Sequence, residues 1–225
     1  MTIALDLSKK FELNLQKAGI VNIPTMVTKL AIDKSGSMSE EFANGWVQRT
    51  IDLFIAAAMK FDDNGELDIG FFDTSMRLTE NAVADDVGSY LKTKGRHIQA
   101  HSGTSYAPII DAFEQTVEPE KTGFFGRLFG GKKEASEPQM RQYAGIITDG
   151  DAGDNSKFEH VLAGTNGNTF YQFIAIGNQV NLLYLQGIAN QYPHVAFAHI
   201  PNPHSMTDDS FYELICNEKL KAWIG

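Results

Sequence analysis

The chain has 225 residues, 43% of them hydrophobic and 21% charged, with 19 Lys and Arg against 28 Asp and Glu for a net charge of −9. That balance excludes general nucleic-acid binding, which draws on basic patches to neutralise phosphates. One cysteine, Cys216, excludes an internal disulfide framework and a cysteine-rich zinc site. No apolar run reaches the roughly 18 residues of a membrane-spanning helix, and residues 1–10 lack the apolar stretch of a secretory signal. The expectation is a cytoplasmic protein of one domain, residues 1–225, long enough to bury about 70% of its unfolded surface.

Residues 4–17 space Leu5, Leu7, Phe11, Leu13 and Leu15 among Lys and Glu, an amphipathic helix that Gly19 can close, within an N-terminal extension over 1–25. Residues 26–33 form a β-rich run that stops at a Lys-Ser-Gly-Ser loop, and Ser39 is placed to cap a helix whose apolar spacing continues to Phe61. Residues 62–65, Asp-Asp-Asn-Gly, make a turn. A strand over 67–72, a short helix over 83–91 and a helix over 107–117 opened by Thr104 or Ser105 follow. The remaining elements are strands at 144–148 and 170–176, a helix at 180–189, a strand at 195–200 and a final helix at 208–223. This alternation predicts an α/β fold with a mostly parallel central sheet flanked by helices, whose ligand site lies beyond the carboxyl ends of the strands. Residues 119–138, rich in Gly, Lys and Phe, break the pattern as a basic-aromatic insertion. If residues 123–133 were helical, Phe124, Phe125, Leu128 and Phe129 would share a face beside Lys and Arg, suited to contact with a membrane surface or a partner.

Three polar segments border these elements: Asp33-Lys34-Ser35-Gly36-Ser37 after one strand, Ser102-Gly103-Thr104-Ser105 before a helix, and Thr148-Asp149-Gly150-Asp151 after another strand. Brought to one sheet edge they offer three hydroxyls and two carboxylates. Hard divalent cations such as Mg²⁺ prefer oxygen ligands and retain several waters. Asp33 and Asp149 can supply charge directly or through ligating waters.

In this order and spacing, Asp33, Ser35, Ser37, Thr104 and Asp149 resemble the metal-ion-dependent adhesion site of von Willebrand factor A domains, and the resemblance covers residues 27–223. It implies a Rossmann-like three-layer fold, with direct coordination of Mg²⁺, Mn²⁺ or Ca²⁺ by Ser35, Ser37 and Thr104. It further implies that Asp33 and Asp149 act mostly through water, and that a protein partner completes the site with an acidic residue. The segment ending at Asn22-Ile23-Pro24-Thr25 is similar to bacterial and phage proteins with the A domain of the tellurium-resistance protein TerF, a stress setting. One departure is His101-Ser102, where the family often has Gly before the Gly-Thr pair.

The alternative is a metal-dependent phosphoester hydrolase that uses the same residues with His101. Against enzymatic readings, Ser35-Gly36-Ser37 lacks the Gly-x-Ser-x-Gly elbow and no phosphate-binding loop occurs. Asp151 and Asp154 read as solvated loop acids, His199 as a satisfied core or edge histidine, and Cys216 as a buried small apolar residue. The expected protein is therefore a metal-dependent interaction module and not an enzyme.

Overall fold

The computed structural model describes residues 2–115 and 140–225. The insertion expected at 119–138 lies outside them, and with it the surface suggested for 123–133.

The run at 26–33 forms β1 (Met26–Asp33), in which every residue but Val27 is buried. Burial on both faces is the mark of an interior parallel strand. The same holds for β4 (Arg141–Thr148) and β5 (Thr169–Ile176). With β2 (Leu67–Phe72), β3 (Met76–Leu78) and β6 (Val195–Ile200) they make a six-stranded sheet in the order β3-β2-β1-β4-β5-β6. All neighbours are parallel except β2 and β3, where Gly70 opposes Leu78 in an antiparallel ladder. The short strand β3 has no counterpart in the sequence reading, because three half-exposed residues carry no alternation to detect.

Helices cover both faces. On one side α1 (Thr2–Lys17) buries Ala4, Leu7, Phe11 and Leu15, a three-and-four spacing that leaves Leu5 and Leu13 exposed. Phe11 meets the rings of Phe61 and Tyr212, each with centroids 5.1 Å away. The helix predicted to run unbroken to Phe61 is two helices, α2 (Ser39–Ala43) and α3 (Trp46–Phe61). They part at Asn44-Gly45, where Gly45 takes φ 85°, a left-handed conformation that glycine adopts without cost. Ser39 is the first residue of α2 and not its cap; its hydroxyl donates back to the Gly36 carbonyl at 2.7 Å. Phe54 of α3 lies against the sheet at Gly145, where any Cβ would collide with its ring. The expected final helix is likewise two, α7 (Asp208–Ile215) and α8 (Glu218–Ile224), with Asn217 capping the second through the Leu220 N–H at 3.0 Å. Cys216 sits at this break, buried, and burial pushes its thiol up to about 12.

The opposite face carries α4 (Ala107–Gln115), α5 (Asn155–Ala163) and α6 (Leu182–Gln191). Their Ile110, Phe113, Phe158 and Leu185 pack on Ala31, Ile146 and Phe173 of the sheet in a second core. Helix α5 is not among the expected elements, although Phe158 and Leu162 follow the four-residue spacing. The helix expected at 83–91 is instead two 3-10 turns, Ala84–Asp86 and Tyr90–Lys92, separated by Gly88 at φ 77°. Among the described residues no helix is long and apolar enough to cross a membrane.

The result is the expected three-layer Rossmann-like α/β fold. From β1 the chain builds outward through β2 and β3, then returns to the other side of β1 with β4 and continues to β6. The carboxyl ends of β1 and β4 are therefore neighbours at the point where the order reverses, which is where ligands bind in such sheets.

Candidate metal centre

Asp33 ends β1 and Thr148 ends β4, so the first and third polar segments leave the sheet side by side. Asp33 is fully buried. Its Oδ1 accepts the Ser35 N–H at 2.7 Å, and its Oδ2 accepts the hydroxyls of Thr148 at 2.7 Å and Thr104 at 3.3 Å. The Oγ atoms of Ser35 and Ser37 are 3.1 Å apart, and Ser37 donates to Asp149 Oδ1 at 2.8 Å. All five residues expected to form the site, Asp33, Ser35, Ser37, Thr104 and Asp149, are thus brought together. Thr148 joins them; its position beside Asp149 was visible in the sequence, but its side-chain direction follows only from the end of β4.

Burial falls from the base outward. Asp33, Ser35 and Thr148 are buried, Thr104 and Asp149 half-buried, and Ser37 exposed. At the rim, a Cβ on Gly150 would stand 3.8 Å from Thr104 Oγ1 and 3.9 Å from Ser37 Oγ, so this glycine faces the space between the two hydroxyls. Burial raises the Asp33 carboxyl above the usual range, although its hydrogen bonds from Ser35, Thr148 and Thr104 oppose the shift. Asp149 is pushed up to about 6, by burial first and then by the negative charges of Asp33 and Glu41, against the Ser37 hydrogen bond. Neither carboxylate forms an ion pair with a described residue. Two carboxylates placed together in a low-dielectric pocket without a cationic partner are costly, and a hard cation offsets that cost. Among the described residues no three His, Cys, Asp or Glu side chains gather as a conventional cage. The oxygen set is mostly hydroxyl, which suits a weakly held, hydrated divalent ion.

The loops are braced by residues outside the motif. Lys34, between Asp33 and Ser35, pairs with buried Asp73 at the end of β2. Burial works to raise the Asp73 carboxyl, but the Lys34 ammonium and the Ser75 N–H and hydroxyl hold it below the usual range. The Asp73 carbonyl accepts the Ser105 N–H at 2.8 Å, the Lys34 carbonyl accepts the His101 N–H at 2.7 Å, and the Ser102 carbonyl accepts the Gly36 N–H at 3.2 Å. His101 is exposed, with its Nδ1 3.6 Å from Asp73 and 2.9 Å from the Ser102 hydroxyl. Ser102 adopts φ 70°, a left-handed conformation that non-glycine residues rarely hold.

Both acids read as solvated accept backbone amides, Asp151 while exposed to solvent and Asp154 while half-buried. Asp151 accepts the Asn181 N–H ahead of α6. Asp154 accepts the N–H groups of Tyr106 and Ala107 at 2.9 and 3.0 Å. This carboxylate, and not the hydroxyl of Thr104 or Ser105, receives the first amides of α4. Away from the site, His199 lies on edge strand β6 and donates from Nε2 to the Gly177 carbonyl at 2.6 Å, the satisfied edge histidine expected.

A six-stranded sheet of this order, helices on both faces and the Asp33, Thr104 and Asp149 loops at its switch point define the fold of the von Willebrand factor A domain class. Within that class the chain resembles the TerF-like group: the description "vWA found in TerF C terminus" matches residues 25–129. The protein YcbR of Bacillus subtilis strain 168, itself uncharacterized, is 26% identical over 220 residues, which cover 95% of this chain and 84% of that protein. A von Willebrand factor type A structure from Catenulispora acidiphila superposes with a TM-score of 0.60 at 16% identity, over 88% of this chain and 43% of that one. Proximal thread matrix protein 1 of the mussel byssus, in a structure with a zinc-occupied MIDAS motif, gives 0.53 at 12% identity over 88% and 48%. The chain thus spans less than half the length of these two solved proteins, and at such identities the likeness is one of fold.

Proposed function

We propose that this chain is a divalent-metal-dependent protein-binding module of the cytoplasm, a single domain over residues 1–225. The observation that carries the reading is the buried Asp33 carboxylate, held by the Ser35 amide and the hydroxyls of Thr148 and Thr104 and without a cationic side chain among the described residues. Ser35, Ser37 and Thr104 would hold the ion directly, and Asp33 and Asp149 through ligating waters. A divalent cation bound there supplies a Lewis-acidic position for a carboxylate from a partner protein. The chain's own residues do the rest. Asp33 fixes the base of the site, Thr148 and the Ser35 amide hold that carboxylate in one orientation, and exposed Ser37 keeps one side open to solvent. The metal-occupied mussel protein of the same fold is consistent with this use of the site, and the TerF-like match favours a bacterial stress or tellurite-resistance setting.

The test is thermal. A ligand that binds only the folded state raises its stability by about 2.7 kcal/mol at a hundredfold excess over Kd. Millimolar Mg²⁺ or Mn²⁺ should raise the melting temperature, and Ser35→Ala or Thr104→Ala should remove the rise. A parent protein indifferent to both metals counts against the site. Turnover of phosphate esters that disappears in Asp33→Ala would favour a hydrolase instead.

A further inference from the structure

Three loops must hold their hydroxyls at fixed separations for the site to work, and the motif residues join the Thr104 loop to the Asp149 loop only through side-chain hydroxyls that meet at Asp33, with the Thr104 contact long at 3.3 Å. The rest of the connection is made elsewhere. Asp154 lies five residues beyond Asp149 and immediately precedes α5, whose Phe158 N–H bonds to the Asp154 carbonyl at 2.9 Å. Its side chain does not cap α5. It turns across to α4 instead, where Oδ1 accepts the Tyr106 N–H at 2.9 Å and Oδ2 the Ala107 N–H at 3.0 Å. These amides stand two and three residues after Thr104. Next to this clasp the Gly153 N–H donates to the carbonyl of Thr104 itself at 3.0 Å, and the Tyr106 hydroxyl returns to the Gly150 carbonyl at 2.9 Å. Four hydrogen bonds therefore tie 150–154 to 104–107, and one carboxylate supplies two of them. An ionised carboxylate accepting two amides at a helix start gains from charge-assisted bonding and from the helix dipole together.

We propose that Asp154 is a positioning residue for the candidate metal site: it acts through the Thr104 backbone to set where the Thr104 hydroxyl stands relative to Ser37 and Asp149. It touches none of the expected ligand atoms. The affinity consequence rests on the metal-binding reading above, whereas the clasp itself does not.

The experiment compares the parent with Asp154→Ala, Asp154→Asn and Asp151→Ala. Mn²⁺ binding is followed by calorimetry, and amide hydrogen exchange is measured without metal. Asp151 serves as the control because it ties the same loop to the segment before α6, away from Thr104. Residues that orient metal ligands typically change affinity by about 10- to 100-fold when removed. Asp154→Ala should weaken Mn²⁺ binding by at least about tenfold, Asp154→Asn less because one oxygen acceptor remains, and Asp151→Ala by less than about twofold. In Asp154→Ala the Gly153 and Tyr106 amides should exchange faster while amides of β1 and β4 keep their protection. Parent-like Mn²⁺ affinity in Asp154→Ala, or an equal loss in Asp151→Ala, overturns the proposal. If the parent binds no Mn²⁺, the metal reading fails on its own. The clasp is then judged by exchange, and unchanged protection of Gly153 and Tyr106 in Asp154→Ala overturns it. Should Asp154→Ala not fold, Asp154→Asn carries both readouts.

Discussion

Strand β1 buries two charges of opposite sign, Lys29 at 2% exposure and Asp33 at 0%, four residues apart and so on the same face of the sheet. They sit at opposite ends of the same flanking helix. Lys29 Nζ donates to the Phe113 carbonyl, in the last turn of α4, at 3.0 Å and lies 5.2 Å from the centroid of the Phe113 ring. Asp68 and Glu114 also favour its charge, yet burial outweighs them and lowers it to about 8. Asp33 lies near the beginning of α4, among hydroxyls and one amide, with exposed Ser37 at the rim. A buried charge is therefore not in itself a functional sign. Lys29 is matched by fixed protein groups, including a helix C-terminal carbonyl that suits a cation. Among the described residues Asp33 is matched by neutral donors alone, an arrangement that favours a mobile cation.

The difference is sharpest in a substitution that removes charge and keeps shape. Asp33→Asn should stabilise the metal-free protein, because burial already disfavours the ionised form. The same change should abolish the rise of about 2.7 kcal/mol expected with Mn²⁺ at a hundredfold excess over Kd. Melting curves of parent and variant in EDTA and in Mn²⁺ should then cross in order. If Asp33→Asn loses stability in EDTA and keeps its response to Mn²⁺, the contrast with Lys29 collapses.

Lys29 provides the converse case through pH. Its folded value, about 8, lies below the 10.5 of the free side chain, so the unfolded chain binds more protons between these limits. Stability from this group therefore rises with pH across that window, by about 1.4 kcal/mol per unit where the two states differ by a full proton. Below pH 8 the whole cost of the buried charge is present. Lys29→Met removes the slope, and the gap between variant and parent in urea midpoints should narrow steadily from pH 8 to pH 9.5. A constant gap would mean that Lys29 is not strained by burial. The metal response should be unaffected by Lys29→Met, since nothing at the Asp33 end depends on that side chain.

How much of this was legible in the sequence follows from what each feature is made of. The interior strands declare themselves by local apolar runs, and β1, β2 and β6 begin and end where the runs do. The hydroxyls of Ser35, Ser37 and Thr104 stand at element boundaries that turn residues mark. What was not legible is carried by contacts far apart in the chain. Asp73 and Lys34 are 39 residues apart, and Asp154 and Tyr106 are 48. An acid in a polar loop looks solvated until the fold sets a helix start against it, as happens to Asp154. Helix breaks at Asn44-Gly45 and Cys216-Asn217 were hidden because the apolar periodicity continues through both.

Ser102 yields the smallest effect, and it bears on the site end alone. Its carbonyl must reach the Gly36 amide while its own residue turns into Gly103 and Thr104, and φ 70° is the conformation that achieves this. Holding a non-glycine residue there costs about 1–2 kcal/mol. Ser102→Gly relieves the strain but gives the unfolded chain extra freedom worth about 0.5–1 kcal/mol, so a net gain of about 0.5 kcal/mol is expected. Ser102→Ala removes the hydroxyl that meets His101 and keeps the strain, so it should gain nothing. Metal affinity should stay within about twofold in both, because the Asp73 and Asp154 contacts hold the Thr104 loop independently of Ser102. A gain in Ser102→Gly without change in Mn²⁺ binding would place the strain in the loop leading to Thr104. A loss of binding would show that the left-handed turn itself sets the hydroxyl, as a part of the site that Lys29, at the far end of α4, has no equivalent for.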